Sequence, residues 1–188
     1  ESVPEQTWSS AGFVDSTVHG LLGLEMDSLA NKLEFAPRLP ADWSDLSVSH
    51  IRLGSRFIAL RLQHIADDIT LQIDNPGDSF SFEFAPELPL GAKLRHATFN
   101  HRLIAATVDS DGRDTVAKVA VNVPRGTTEL QLAFKGGISV VVDATRPMLG
   151  DSSARKRVVK VRLEGPVLTI DADVPADRSS TLQLLSLW

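Results

Sequence analysis

The densest group of carboxylates in the sequence is the run Asp109-Ser-Asp-Gly-Arg-Asp114. Three carboxylates around a glycine suit a hard cation such as Ca²⁺, which prefers several oxygen ligands on a sharply turning backbone. The spacing differs from that of a helix-flanked calcium loop, because Gly112 stands fourth rather than sixth and Ala120 occupies the place of the bidentate Glu. Asp-Gly between two alternating segments is also a strong hairpin signal. The run therefore predicts a plain β-hairpin, with bound calcium as the alternative.

The other reactive side chains form none of the patterns that common catalytic or metal sites require. No two histidines have the i, i+2 or i, i+4 spacing of a ligand pair, and no Gly-x-Ser-x-Gly or phosphate-cradling glycine motif occurs. The chain has no cysteine, which excludes disulfides, thiolate nucleophiles and zinc–cysteine sites. We therefore expect no metal centre and no cofactor. His50 and His64 are expected on the solvent faces of strands.

Length and composition indicate a globular protein. The chain has 188 residues, of which 43% are hydrophobic and 23% charged, so it can form one domain or one domain with an appendage. A net charge of −5 argues against a nucleic-acid or anionic-membrane partner. No apolar run approaches the roughly 18 residues of a membrane span, and no leader peptide is recognisable. Because residue 1 is Glu rather than Met, we expect a piece of a longer protein.

Helical periodicity is confined to the first thirty residues. Between Thr7 and Gly23, apolar residues recur at spacings of three and four, and Gly23 is a suitable C-terminal stop. These apolar positions are Trp8, Ala11, Val14, Val18, Leu21 and Leu22. The pattern predicts one helix in a segment of residues 1–30. Its apolar stripe should be buried against the rest of the chain or against another protein.

From Lys32 onward the hydrophobic period changes to two, and turn signals follow every eight to twelve residues. Residues 31–188 are therefore predicted to form an antiparallel β-sandwich of about eleven to thirteen strands, and the fold class is mainly β with one N-terminal α-helix. Proline-rich stretches at 37–40, 86–89 and 145–147 favour crossings between two sheets over a closed barrel.

Two isolated tryptophans, Trp43 and Trp188, could each stack on a sugar ring, although a lone Trp more often covers a core. The chain has three Trp and no Tyr, so the sequence shows no aromatic platform for sugars.

The order of motifs in the first 43 residues resembles the C-terminal end of a known enzyme family. Val3-Pro-Glu-Gln-Thr-Trp-Ser-Ser-Ala11 precedes a helix ending in Gly20-Leu-Leu-Gly-Leu-Glu25, and Leu33-Glu-Phe-Ala-Pro-Arg-Leu-Pro-Ala-Asp-Trp43 follows. This arrangement is similar to that of bacterial six-hairpin, or (α/α)6-barrel, glycoside hydrolases of the glucoamylase-like and glycogen-debranching-like types. Leu88-Pro-Leu-Gly-Ala92 and Asp151-Ser-Ser-Ala-Arg155 also look like the β-sandwich tail of such enzymes.

The resemblance implies roles for three residues of the head segment. Glucoamylase-like enzymes carry their general base in a Pro-Glu-Gln context, which corresponds here to Glu5 with Gln6 beside it. An inverting glycosidase needs such a carboxylate to activate water, roughly 6.5–9.5 Å from the carboxylic acid. Glu5 also fits the third position of a capping box opened by Ser2. Trp8 could line a sugar subsite or pack against neighbouring barrel helices.

The length of the chain limits what it could do alone. A six-hairpin barrel has twelve helices, whereas this sequence predicts one, and no partner acid for Glu5 is evident. The resemblance therefore implies an accessory, structural part of a glycoside hydrolase that acts on oligo- or polysaccharide and is inactive alone. Its partner would be the remainder of the (α/α)6 barrel. The alternative is a free-standing β-sandwich that binds carbohydrate or protein.

Overall fold

A computed structural model describes residues 7–141, 157–174 and 181–186. The first described residues form a short helical segment. Helix α1, Thr7–Asp15, continues into a π-helical segment, Ser16–Leu21. Gly23 follows with φ of 57°, a backbone conformation that favours glycine, and this confirms it as the C-terminal stop. Among the described residues, neither helical segment is long and apolar enough to cross a membrane.

The remaining described residues are dominated by strands, as the period of two predicts. There are fifteen in the described ranges, two more than the upper expectation, because residues 24–27 form a strand and the stretch around 94–108 carries three strands rather than two. They are β1 Leu24–Asp27, β2 Lys32–Phe35, β3 Asp45–Leu53, β4 Arg56–Ile65, β5 Asp68–Asn75, β6 Phe80–Phe84, β7 Lys93–Phe99, β8 Arg102–Ile104, β9 Thr107–Ser110, β10 Thr115–Val123, β11 Gly126–Lys135, β12 Ile138–Val141, β13 Arg157–Glu164, β14 Val167–Asp173 and β15 Gln183–Ser186.

Two sheets carry most of these strands. One has the order β1-β2-β6-β10-β9 and the other β3-β4-β5-β11-β7-β8, while β12–β15 and β13–β14 form separate two-stranded pairs. All pairings of named strands are antiparallel except β2 with β6. Neither sheet closes into a barrel within the described ranges. The predicted fold class, mainly β with antiparallel sheets after one short helix, is confirmed.

Several connections carry the chain from one sheet to the other, and two of them contain the proline-rich stretches at 37–40 and 86–89. The first connects β2 to β3 through residues 36–44, and the second connects β6 to β7 through residues 85–92. We call residues 36–44 and 85–92 the first and second crossing segments. Both crossings were predicted from their prolines; the third predicted crossing, at 145–147, lies outside the described residues. The two crossing segments run side by side, since the amide of Glu87 donates to the carbonyl oxygen of Pro37 at 3.2 Å.

The core lies between the two sheets and is built on alternating strand positions. In β6, Phe80, Phe82 and Phe84 point inward and are almost fully buried, whereas Ser81 on the opposite face is exposed. The ring of Phe84 stacks on Phe35 of β2 at 5.8 Å and on Phe82 at 6.4 Å. This aromatic row fixes the register between neighbouring strands, because a one-residue slip would turn all of its side chains to solvent.

Candidate functional site

Helix α1 carries the segment that the resemblance singled out, but only part of it is described. Glu5 and Gln6 lie outside the described residues. Trp8 lies within α1, and its side chain is also outside the description. Their roles in catalysis and substrate binding therefore stay predictions.

The described side chains of α1, from Ser10 to Asp15, are all exposed. Phe13 is 74% and Val14 57% exposed, so the first part of the helix does not bury its apolar residues against the sandwich. Only the end of the helical segment does so: Val18 packs on the core and Leu22 is buried. Sequence reasoning missed Phe13, because it lies outside the spacing of three and four on which the helix was predicted.

The helical segment is held to the sandwich at one end by backbone hydrogen bonds. The amide of Ala36 donates to the carbonyl oxygen of Gly23 at 2.9 Å, and that of Arg38 donates to the oxygen of Leu21 at 2.8 Å. The chain around Gly23 thus runs alongside the start of the first crossing segment. These bonds fix the C-terminal end of the helical segment to the sandwich, whereas they involve no residue of α1.

The carboxylate run at 109–114 forms the predicted hairpin between β9 and β10. A carboxylate oxygen of Asp111 accepts hydrogen bonds from the amides of Asp114 (3.0 Å) and Arg113 (2.8 Å), which lower the pKa of Asp111. Its charge therefore stabilises the turn itself. Across the described ranges, no three His, Asp or Glu side chains are grouped so that they could hold a metal ion.

A cleft opens between the two crossing segments. It encloses a cavity of about 260 Å³, and a smaller cavity of about 170 Å³ adjoins it. Trp43 and His64 line both cavities. Buried Leu62 of β4 and Ile69 of β5 contribute to the lining from the core, and Ile138 of β12 adds a further wall. We call this the crossing-segment cleft.

The polar groups of the cleft are shielded from water to different degrees. Burial raises the pKa of Glu87, an effect opposed by the Arg38 guanidinium, whose Nε lies 3.9 Å from the carboxylate. Burial lowers the pKa of His64, whose backbone amide donates to Ser44 at 2.8 Å. A carboxyl easier to protonate and an imidazole that resists protonation both reduce the charge inside the cleft. Arg113 and Ser139 also line it.

The two strand histidines differ from each other. His50 is exposed, as expected for a solvent face. His64 is half-buried, with its ring 5.7 Å from that of Phe134, so the expectation of a solvent-facing residue was wrong. The cause is the alternation of β4, because His64 lies on the same face of the strand as the buried residues Leu60 and Leu62.

No family model matches the sequence, and no curated protein matches it either. Similar solved structures do exist, and three can be compared. An alpha-L-rhamnosidase from Dictyoglumus thermophilum is 15% identical with a TM-score of 0.43, over 65% of this chain and 13% of that one. A structure described as a glycoside hydrolase is 13% identical with a TM-score of 0.42, over 71% and 20%. Ara127N, a GH127 beta-L-arabinofuranosidase from Geobacillus Stearothermophilus T6, is 11% identical with a TM-score of 0.39, over 95% and 33%.

These three neighbours are glycoside hydrolases. The chain spans between 13% and 33% of their lengths.

Proposed function

We propose that this chain is the C-terminal accessory part of a glycoside hydrolase, in which α1 completes a helical catalytic domain and the β-sandwich braces it. The observation that carries the proposal is the exposed apolar surface of α1, in the segment whose motifs resemble the last barrel helix of six-hairpin glycosidases. The exposure of Phe13 and Val14 leaves that surface free for a partner.

The geometry of a helix indicates how large that partner surface is. Successive residues of an α-helix point about 100° apart, so Phe13 and Val14 face clearly different directions. A helix that buries one side against a globular domain needs one apolar stripe, whereas a helix with apolar residues on several sides is buried by neighbours on several sides. Packing between neighbouring helices of a barrel supplies such surroundings.

Helix α1 also has little support of its own. Together with the π-helical segment it spans residues 7–21, and isolated helices of about 12–15 residues are at best marginal in water. None of the described side chains of α1 is buried, and Val18, in the π-helical segment, is the first that packs on the core. A partner that covers Phe13 and Val14 would therefore stabilise the helix as well as bury its apolar area.

Within this proposal, Glu5 is the general base of the complete enzyme, and Gln6 and Trp8 line the sugar subsite beside it. Glu5 precedes the first residue of α1 by two positions, so its placement would depend on the packing of α1. The sandwich contributes by holding the helical segment at Gly23. The partner acid would come from the remainder of the (α/α)6 barrel.

The test is the hydrolysis of a panel of oligosaccharides by the polypeptide that the complete gene encodes. We expect Phe13→Asp to lower both its hydrolysis rate and its melting temperature, because a charge would be buried at the interface with the helical domain. The matched control is Phe57→Asp, since Phe57 is 55% exposed on β4 and lies outside the proposed interface.

The present chain alone should hydrolyse none of the oligosaccharides. Hydrolysis by this chain alone would contradict the proposal. So would a Phe13→Asp enzyme that is indistinguishable from the Phe57→Asp enzyme in rate and stability.

A further inference from the structure

We propose that the crossing-segment cleft is a binding site for one ring of a neutral saccharide. This site lies in the sandwich and uses no residue of α1, so it does not depend on the catalytic role proposed above. The enclosure of the cleft, the position of Trp43 and the charge balance of the polar groups all favour such a ligand.

The enclosure of the cleft limits the size of its ligand. The larger cavity has a volume of about 260 Å³, just below the roughly 300 Å³ at which pockets for drug-sized molecules begin. The adjoining cavity of about 170 Å³ continues past Trp43 and His64. One ring therefore fits the larger cavity, and a second ring or a substituent could extend into the smaller one.

Trp43 supplies an aromatic surface between the two cavities. It is 42% exposed, and its backbone is held in a tight turn, because its amide donates to the oxygen of Pro40 at 3.0 Å. An indole at the wall of this cleft can offer its face to the C–H groups of a sugar ring, and its N–H can donate to a hydroxyl. Pro37 and Pro89 line the same cleft and add rigid apolar surface.

The polar groups of the cleft favour a ligand without net charge. The Glu87 carboxylate is balanced by Arg38, 3.9 Å away, and Arg113, which also lines the cleft, interacts with the carboxylate of Asp111. Burial lowers the pKa of the half-buried His64 and so favours its neutral imidazole. Neutral imidazole offers one donor and one acceptor, a carboxylate offers acceptors, and the Ser139 hydroxyl offers both. Hydroxyl groups can use all of these, whereas an anion would meet the Glu87 carboxylate.

The experiment is a titration of the ¹⁵N-labelled chain with neutral monosaccharides and disaccharides, one at a time, followed by NMR. We expect saturable shifts of the Trp43 indole N–H signal for at least one sugar, with a Kd on the order of 1 mM for a single ring. Trp43→Ala should weaken that binding about fivefold to tenfold through the loss of the stacked ring. Phe57→Ala removes an exposed aromatic ring elsewhere and should leave the Kd unchanged.

A second variant keeps the result interpretable if Trp43→Ala disturbs the fold. Glu87→Gln preserves size and removes the negative charge, so it should weaken sugar binding while its circular dichroism spectrum stays that of the wild type. The proposal is overturned if no sugar gives saturable shifts, or if Trp43→Ala and Glu87→Gln both bind as the wild type does. Binding of toluene or acetate alone at Trp43 would also overturn it, since the ligand class would then be apolar or anionic. Because the isolated chain is titrated, this outcome is independent of the catalytic test on Phe13.

Discussion

Replacement of Gly23 by alanine should destabilise the junction between the helical segment and the sandwich. A Cβ at this position would collide with the carbonyl oxygen of Ala36 and would lie 2.7 Å from its carbonyl carbon. Gly54 is the matched control, because its φ of 65° is close to the 57° of Gly23 but nothing lies within 4 Å of an added Cβ. The two substitutions therefore share the cost of the backbone conformation and differ in the collision.

The size of each effect follows from these two terms. An L-residue in the left-handed region costs about 1–2 kcal/mol, and the lower entropy of the unfolded alanine chain returns about 0.4–1 kcal/mol. Gly54→Ala should therefore lower the free energy of unfolding by about 0–1.6 kcal/mol. Gly23→Ala should lower the free energy of unfolding by about 1–3 kcal/mol more, since the atoms of Ala36 that it meets belong to the backbone and cannot change rotamer as a side chain could.

The assay is urea unfolding of both variants and the wild type, followed by far-ultraviolet circular dichroism. The additional loss in Gly23→Ala corresponds to a melting temperature about 2–12 °C below that of Gly54→Ala, because 1 kcal/mol shifts a domain of this size by about 2–4 °C. Equal losses in the two variants would refute the reasoning, since the contact with Ala36 would then constrain nothing.

Three further predictions concern the core, the cleft and the head segment. Phe82→Ala should lower the free energy of unfolding by about 3–5 kcal/mol because its ring is fully buried, whereas Phe57→Ala should change it by no more than about 0.5 kcal/mol; equal effects in urea unfolding would contradict the packing. Burial keeps the pKa of His64 in the folded chain below 6.5, so as the pH falls the unfolded chain binds a proton at this histidine before the folded chain does. The contribution of the neutral His64 to the free energy of unfolding is therefore complete above pH 6.5 and is lost as the pH falls through the pKa of the folded chain. The difference in unfolding free energy between wild type and His64→Asn should therefore rise as the pH approaches 6.5 from below, and a flat difference would rule out the burial. Glu5→Gln keeps a side chain that suits the capping box but removes the proposed base. The rate of hydrolysis by the complete enzyme should therefore fall about 10²–10⁴-fold, while the melting temperature stays unchanged. A lower melting temperature with full activity per folded molecule would assign Glu5 to the cap alone.

The fold class could be predicted because it depends on local patterns. The alternation of Phe80, Phe82 and Phe84 indicates which face of β6 is buried, and the prolines at 37–40 and 86–89 indicate two crossings between the sheets. The boundaries of the strands were harder to predict from the sequence. β1 has only four residues, of which only Leu24 is buried, so it shows almost no alternation in the sequence.

The cleft could not be predicted, because its residues are distant in the sequence. Trp43, His64, Glu87 and Ser139 belong to four different segments, and they line one cavity only because the two crossing segments run side by side. Trp43 carries no distinctive motif, and the alternation of β4 places His64 on the inward face without showing that a cavity lies beside it. The exposed Phe13 was missed because a search for one apolar stripe ignores an apolar residue that lies outside it.

Completion of α1 by a helical catalytic domain can be tested by the hydrogen exchange of the α1 amides. Exchange at residues 7–15 should be measured by mass spectrometry in the present chain and in the polypeptide encoded by the complete gene. We predict fast exchange in the present chain, because the described side chains of α1 are all exposed and none of them packs on the core, and strong protection in the complete polypeptide. Equally fast exchange in both would contradict this prediction, since nothing would then cover Phe13 and Val14.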